Sequence, residues 1–261
     1  AVVILILLLV LAPHIGLLLL SFATIWSFSP LPDGFTLAHY GRVFGESFIY
    51  VKNTLLYASL AGLIDVVLGV AIAYIVLRTR LFGREWLDWA ASAALAVPGV
   101  VLGIGYLRTF YGVQLPDGRP LATLWIMIVI ALAIRRLPYA LRACYAALQQ
   151  ISHSLEEAAE NLGATKWRTV RRIVVPLMMG GILAGFISSF ATAAVELSAT
   201  LMLVQSDADA PLAYGLYVFM QSAAGRGPGA ALGVIAVVLV ALCTILSHII
   251  IERGQRAVSG R

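Results

Sequence analysis

Charged residues are scarce in this chain of 261 residues. Asp, Glu, Lys and Arg make up 12% of it, whereas hydrophobic residues make up 61%. Soluble globular domains contain about 25% charged residues. So few charges cannot cover the surface of a soluble domain of this length. A soluble protein is therefore excluded, and the composition predicts an integral membrane protein.

Lysine is almost absent, since only Lys52 and Lys166 occur among the 18 basic residues. The formal net charge is nevertheless +5, because arginine is common. A basic chain that binds nucleic acid carries a basic helix or a patch of basic and aromatic residues. No such patch occurs outside the loops between apolar runs. We therefore expect no nucleic-acid partner and attribute the charge to membrane topology.

Cysteine is scarce, and the motifs of catalysis are missing. Cys144 and Cys243 are the only cysteines, and their spacing indicates neither a disulfide nor a metal site. The four histidines are dispersed, and no nucleophile motif occurs. The phosphate loop G-x-x-x-x-G-K-S/T is absent too, since no Gly-Lys pair occurs anywhere. We expect no catalytic residue, metal site or cofactor in this chain, and it cannot be an ATP-hydrolysing motor.

Long apolar runs dominate what is present. A helix needs about 20 apolar residues to cross a hydrocarbon layer of ~30 Å. Suitable stretches lie at about 2–26, 53–77, 89–110, 121–138, 174–203 and 230–251. The sequence therefore predicts an all-α membrane protein with six transmembrane helices in a single domain over residues 1–261. The first run begins without Met or a basic leader, and we interpret it as a span whose leading residues are missing.

The basic residues between these runs fall unequally on the two sides. One set of loops holds thirteen: Arg78, Arg80, Arg84, Arg135, Arg136, Arg142, Lys166, Arg168, Arg171, Arg172, Arg253, Arg256 and Arg261. The other set holds five: Arg42, Lys52, Arg108, Arg119 and Arg226. Cytoplasmic loops carry the excess of Lys and Arg. The count predicts that both termini and the loop over residues 139–173 are cytoplasmic.

The longest strongly polar segment runs from Ser154 to Pro176 between two apolar runs, so it must face water. Ser154 and Glu157 have the spacing of a capping box, in which the hydroxyl accepts the backbone N–H of Glu157. Acidic residues then occupy the first turns of the helix, where its dipole favours them. Gly163 is predicted to end this helix in the left-handed conformation. Thr165 is predicted to cap a second helix that continues into the membrane past Pro176.

This segment resembles the signature of the permease subunits of binding-protein-dependent ABC importers. That signature is E-A-A, three residues, G, nine residues, I, one residue and L-P. It occurs here as Glu157-Ala158-Ala159, Gly163, Ile173 and Val175-Pro176, with Val in place of Leu. In that family the first helix is the coupling helix, which sits in a cleft of the ATPase subunit. The resemblance implies this role for residues 154–163, and an ordinary helical hairpin between two spans is the alternative.

The coupling residues that the resemblance implies are Glu156, Glu157, Ala158, Ala159, Gly163 and Ala164. Glycine pairs, Gly99 with Gly103 and Gly181 with Gly185, recur within the spans at a spacing that lets helices approach closely. They form either an interface between permease halves or ordinary packing within one subunit.

Two carboxylates fall inside predicted spans, where ionisable groups are costly and usually face the bundle interior or a wet cavity. Asp65 lies about 18 Å into its span at 1.5 Å per residue, near the middle of the membrane. It either lines a pathway or subunit interface, or it is paired locally. Glu196 opens E-L-S-A-T-L, which resembles the matching part of ferric-iron and aminoethylphosphonate importer permeases. We predict that Glu196, Ser198 and Thr200 lie near an outer gate, at the outer end of the fifth span.

The resemblance implies a transport subunit rather than an enzyme, forming half of a pathway through the bacterial inner membrane and contacting its lipid. The implied partners are an ATPase dimer that binds ATP and Mg²⁺, a second permease half, identical or homologous, and a periplasmic substrate-binding protein. The implied substrate is ferric iron or a phosphonate such as 2-aminoethylphosphonate. Sulfate, molybdate and polyamine are alternative substrates. An ATP-independent secondary transporter or channel is the alternative function.

Overall fold

The computed structural model describes residues 2–26, 29 and 31–259, with side chains described for 3–26, 29 and 31–252. The side chains of Arg253, Arg256 and Arg261, which were counted for orientation, lie outside the described residues. The described part is helical and has no β-sheet, only the isolated bridges Ala23–Phe35 and Gln114–Pro120. The predicted all-α class is confirmed.

The helices are named in chain order. The first six are α1 (Val2–Phe22), α2 (Ala38–Glu46), α3 (Phe48–Arg78), α4 (Arg84–Ala93), α5 (Gly99–Phe110) and α6 (Trp125–Gln149). The next four are α7 (Ser154–Asn161), α8 (Lys166–Thr169), α9 (Val175–Leu177) and α10 (Met179–Ala194). The last three are α11 (Thr200–Leu203), α12 (Leu212–Met220) and α13 (Arg226–Ser259).

Helix α3 is the central element, and it packs chiefly against α6 and α10. Tyr57 of α3, Leu132 of α6 and Phe190 of α10 belong to one buried apolar cluster. The three helices approach closely at glycines. A Cβ on Gly69 would lie 3.3 Å from the backbone of Ala140, so α3 and α6 are in close contact here.

Both glycine pairs that the sequence singled out pack within the chain. A Cβ on Gly185 would lie 3.1 Å from the Cα of Ala140, and one on Gly181 would overlap Ala147. A Cβ on Gly103 would lie 2.8 Å from the Cβ of Met202. Packing within one subunit therefore explains their spacing, because each glycine already faces a neighbour in its own chain.

The two ends of α3 contact different loops. At its beginning, the Asn53 side-chain amide donates to the carbonyls of Ala208 and Ala210 at 2.8 and 3.1 Å. At its end, Arg78 reaches the segment that leads into α7. A helix of this length spans about 45 Å at 1.5 Å per residue. The loop around Ala208 and helix α7 therefore lie at opposite ends of the bundle.

Three described helices are long and apolar enough to cross a membrane, namely Val3–Phe22, Phe48–Arg78 and Ala223–Glu252. A fourth candidate is the pair Lys166–Leu177 and Met179–Ala194, whose axes are bent by 69°. The shorter α5 is apolar but has only 12 residues. The number of six spans thus stays a prediction.

Two of the predicted spans are interrupted in the structure, the first of them at Pro98-Gly99. The stretch 89–110 is divided between α4 and α5. Pro98 is extended at the junction (φ −56°, ψ 137°), and a proline disfavours the helical conformation of the residue before it. The stretch 174–203 begins at the bend before α10, then stops at Ala194 and resumes as α11. The chain turns between α10 and α11 around Glu196.

Helix α6 extends to Gln149, well beyond the predicted span 121–138 and into the predicted loop 139–173. Pro138 lies inside this helix rather than at its end. Leu141, Cys144 and Leu148 continue an apolar face at helical spacing, and all three are fully buried against Val174 and its neighbours. Burial of this face stabilises the extra turns, because amphipathic packing contributes more than local propensity.

Candidate functional site

Helix α7 ends where the sequence predicted, at Gly163. This residue has φ +83°, and the N–H groups of Gly163 and Ala164 donate to the carbonyls of Glu160 and Ala159 at 2.9 and 3.0 Å. These are the two hydrogen bonds of a Schellman motif, which satisfies carbonyls left free at a helix end. No neighbouring atom lies within 4 Å of a Cβ built on Gly163, so glycine is required for its backbone conformation alone.

The capping box at the beginning of α7 is not formed, and this part of the prediction is wrong. The Ser154 hydroxyl pairs with the Ser152 hydroxyl at 2.7 Å, and the N–H of Glu157 donates to the carbonyl of His153 at 3.1 Å. The Glu157 carboxylate pairs with the His153 ring at 3.1 Å instead of reaching back to a cap. Because the helix begins one residue earlier than the motif requires, Ser154 already belongs to its first turn.

The second helix begins as predicted, with the Thr165 hydroxyl accepting the N–H of Arg168 at 3.4 Å. It continues from α8 through a π-helical turn, Val170–Val174, into α9. Pro176 lacks the N–H that would bond four residues back, and a wider turn accommodates that loss. The chain then bends by 69° before α10, so α8 and α9 lie at an angle to α10.

The inner side of α7 is held by a buried ion pair. The Arg78 Nε lies 2.6 Å from the Glu156 Oε1, and the two side chains are only 11% and 6% exposed. Arg78 also donates to the carbonyls of Leu148 and Ile151 at 3.1 and 2.6 Å. The Tyr74 hydroxyl donates to the other oxygen of Glu156 at 3.1 Å. The end of α3 is therefore tied to both α7 and the end of α6.

This burial changes the interpretation of the residues grouped as coupling residues. Glu156 and Ala159 are buried inside the chain, where Glu156 helps to position α7. Glu157, Ala158 and Gly163 are exposed, and Ala164 is half-buried.

The outer side of the same segment carries exposed apolar side chains. Leu155 is 46% exposed, Leu162 89% and Trp167 72%. They alternate with exposed charged residues such as Glu160 and Arg168, so this surface does not suit hydrocarbon. Apolar side chains rimmed by polar ones are typical of a protein-binding surface.

A second group of charged side chains lies inside the bundle. Glu196 is 5% exposed, and its carboxylate pairs with Arg136 and lies 3.6 Å from the Arg135 Nε. Both arginines are about midway along α6, ten or eleven residues after its start. The Glu196 carboxylate also accepts the N–H of Ala199 at 3.2 Å, which satisfies a donor freed by the turn between α10 and α11.

Asp65 belongs to the same group. It is fully buried, and one of its carboxylate oxygens accepts a hydrogen bond from Ser189 of α10. Arg136 is close enough for its charge to act on this carboxylate. The other oxygen, Oδ1, has no hydrogen-bond partner among the described residues. Asp65 is therefore held by Ser189 within the chain, and its role in a pathway or subunit interface stays a prediction.

Glu196 lies opposite the middle of α6, where Arg136 is its partner. It follows the end of α10, which has 16 residues and is about 24 Å long at 1.5 Å per residue. Its place near an outer gate stays a prediction. Thr200 is buried and donates to the Glu196 carbonyl at 2.8 Å, whereas Ser198 is exposed.

Sequence reasoning missed Arg78, Arg135 and Arg136, because all three were counted only as loop charges. For the last two a signal was available, since they interrupt the apolar run I-A-L-A-I-R-R-L-P-Y-A-L. Charged residues within a span usually face the bundle interior and are paired. Among the described residues, no group of three or more His, Cys, Asp or Glu side chains is placed to hold a metal ion.

Comparison with known families decides what this bundle is. Residues 65–259 match the family described as binding-protein-dependent transport system inner membrane component. The chain belongs to this family. It is thus a multi-pass inner-membrane protein of this permease family.

Relatives of this permease are named after different transported substrates. It is 33% identical over 177 residues to the putative ferric transport system permease protein FbpB 1 of Haemophilus influenzae, which covers 66% of this chain and 27% of that protein. It is 30% identical over 200 residues to the molybdenum transport system permease protein ModB of Escherichia coli, covering 73% and 87%. The permease thus spans about a quarter of the length of the ferric relative.

A solved structure supports the fold of the permease. A bacterial alginate ABC transporter, in complex with an alginate pentasaccharide-bound periplasmic protein, superposes with a TM-score of 0.70 at 19% identity. The superposition covers 94% of this chain and 91% of that chain. At this identity the likeness concerns the fold alone.

Proposed function

We propose that this permease forms half of a translocation pathway and is driven by a separate ATPase dimer that docks on residues 154–163. The observation that carries the proposal is the two-sided construction of α7. Its inner side is fixed by Arg78 and Glu156, and its outer side presents Leu155 and Leu162 to a partner. A helix held in this way transmits a push from the ATPase to α3 and α6 as one rigid unit.

A permease half that is driven by a separate ATPase needs further partners. The alginate transporter was solved with a periplasmic protein, and this chain shares its fold. We propose that a periplasmic substrate-binding protein delivers cargo to this permease, and that a second permease half, identical or homologous, completes the pathway. ATP and Mg²⁺ would be bound by the ATPase subunits.

For the substrate, we propose ferric iron, with a phosphonate such as 2-aminoethylphosphonate as the alternative from the same branch. The support is the 33% identity to a ferric transport permease. A molybdate importer is the second candidate, because the ModB relative matches this chain over 87% of its own length. The described residues contain no metal-binding cluster, so selection is assigned to the periplasmic protein.

Uptake into proteoliposomes tests the proposed function. The permease is reconstituted with its ATPase and its binding protein, and radiolabelled ferric iron, molybdate and sulfate are compared. We expect accumulation of one of them, ferric iron by our proposal, that requires ATP on the ATPase side and the binding protein. Accumulation without ATP would instead show a channel or secondary transporter.

We further propose that α7 and both termini face the cytoplasm, on the basis of the unequal distribution of Lys and Arg. Residues 154 and 207 are both exposed and lie at opposite ends of α3. A cysteine introduced by Ser154→Cys should react with an impermeant maleimide only from the cytoplasmic side. One introduced by Asp207→Cys should react only from outside, and the reverse pattern would overturn the orientation.

A further inference from the structure

The two breaks in the helices, one between α4 and α5 and the other between α10 and α11, lie side by side. A Cβ on Gly99, the first residue of α5, would lie 3.1 Å from the Glu196 Oε1 and would overlap the side chain of Ser198. The beginning of α5 therefore packs directly on the turn that joins α10 to α11. Glycine is required here because the two backbones approach this closely.

Neighbouring arginines of α6 hold both interruptions. Arg135 donates to the carbonyl of Val97, just before α5, at 2.8 Å, and its Nε lies 3.6 Å from the Glu196 carboxylate. Arg136 donates to the same carboxylate. One short stretch of α6 thus bonds to the chain break before α5 and to the break after α10.

Both guanidinium groups of this group face the carboxylate of Glu196. Asp65 is held by Ser189 and lies close enough for the charge of Arg136 to act on it. The pairing is nevertheless incomplete, since the Nε atoms of both arginines and one oxygen of Asp65 have no hydrogen-bond partner among the described residues. A buried ion pair stabilises little by itself, but separating its members leaves buried charges and is costly.

We infer that Arg135 and Arg136 are positioning residues for transport, which act through Glu196 to latch the two helix breaks together. The latch holds the pathway in one conformation until ATPase closure moves α6 relative to α10. This inference rests on the proposed function and adds the element that couples cargo delivery to ATP use. Without the latch, the spans change conformation without a loaded binding protein.

The test compares ATP hydrolysis and uptake in the reconstituted complex of permease, ATPase and binding protein. Glu196→Gln removes the charge at nearly constant shape. We expect ATP hydrolysis without binding protein to rise about fivefold or more, and uptake per ATP to fall by a similar factor, which is in the range of ordinary coupling energies. Glu46→Gln, the same change in an exposed ion pair with Arg42, should leave both quantities unchanged.

If the pair were merely structural, Glu196→Gln would lower the yield of the complex, ATP hydrolysis and uptake together and leave uptake per ATP unchanged. That result would overturn the inference. If Glu196→Gln does not assemble, Glu196→Asp keeps the charge but shortens the side chain, and we expect a smaller change in the same direction. An unchanged ratio in that variant also overturns the inference. If the unmodified complex transports without ATP, the proposed function fails first, and the inference falls with it.

Discussion

Replacing Arg78 by Gln is expected to abolish ATP-driven uptake. Arg78 neutralises the buried carboxylate of Glu156 and bonds the carbonyls of Leu148 and Ile151. Breaking a buried ion pair by removing one member costs about 3–5 kcal/mol, because the remaining charge is left without a partner. With both members nearly inaccessible to solvent, screening reduces that cost little. Helix α7 should therefore separate from α3, so that docking of the ATPase no longer moves the bundle.

The measurement is uptake and ATP hydrolysis by the reconstituted complex. Arg119→Gln is the matched control, since its ion pair with Asp117 is largely exposed and should contribute almost nothing. The double variant Arg78→Gln with Glu156→Gln removes both buried charges and should recover part of the uptake. Full uptake by Arg78→Gln alone, with normal membrane insertion, would show that the ion pair does not carry the coupling.

The local structure of the cytoplasmic segment could be predicted because its signals are local. Gly163 and Thr165 act on backbone groups within five residues, and both positions were correct. The prediction of the capping box was wrong for an equally local reason. The Ser152 hydroxyl pairs with that of Ser154, and the helix is preceded by His153 as its N-cap, which the sequence pattern does not show.

The pairing of charged residues could not be predicted, because it depends on tertiary contacts. Arg78 and Glu156 are 78 residues apart, and Asp65 and Ser189 are separated by 124. An arginine near an apolar run has the same appearance in sequence whether it faces the cytoplasm or a buried carboxylate. Arg136 was therefore assigned to a loop, although it lies in the middle of α6.

The interrupted spans were only partly foreseeable. Pro98 marks the first break, since the residue before a proline avoids the helical region. The second break has neither proline nor glycine between Val195 and Ala199. Its cause is Glu196, whose carboxylate accepts the N–H of Ala199 while it pairs with α6. Predicting this break would require knowing that α6 is adjacent.

The second large effect is expected at Gly163. An L-residue in the left-handed region costs about 1–2 kcal/mol, and β-branched residues fit it worst. Gly163→Val should therefore lose the Schellman turn and displace Leu162, which presents the most exposed apolar side chain of this surface. The space around Gly163 is open, so no steric clash adds to the effect of the substitution. Gly163→Asn is a matched control, because Asn tolerates the left-handed conformation. We expect about a tenfold or greater loss of ATPase affinity for Val, which corresponds to about 1.4 kcal/mol, and little loss for Asn.

The mass of the detergent-solubilised complex tests the central claim, that a separate ATPase docks on residues 154–163. The permease is mixed with the cytoplasmic ATPase of its own system and weighed by native mass spectrometry. The unmodified chain and Gly163→Asn should give a complex of two permease units with two ATPase subunits, whereas Gly163→Val should remain largely free. Equal assembly of the Val variant, no assembly of the unmodified chain, or ATP hydrolysis by the purified permease alone would contradict the mechanism.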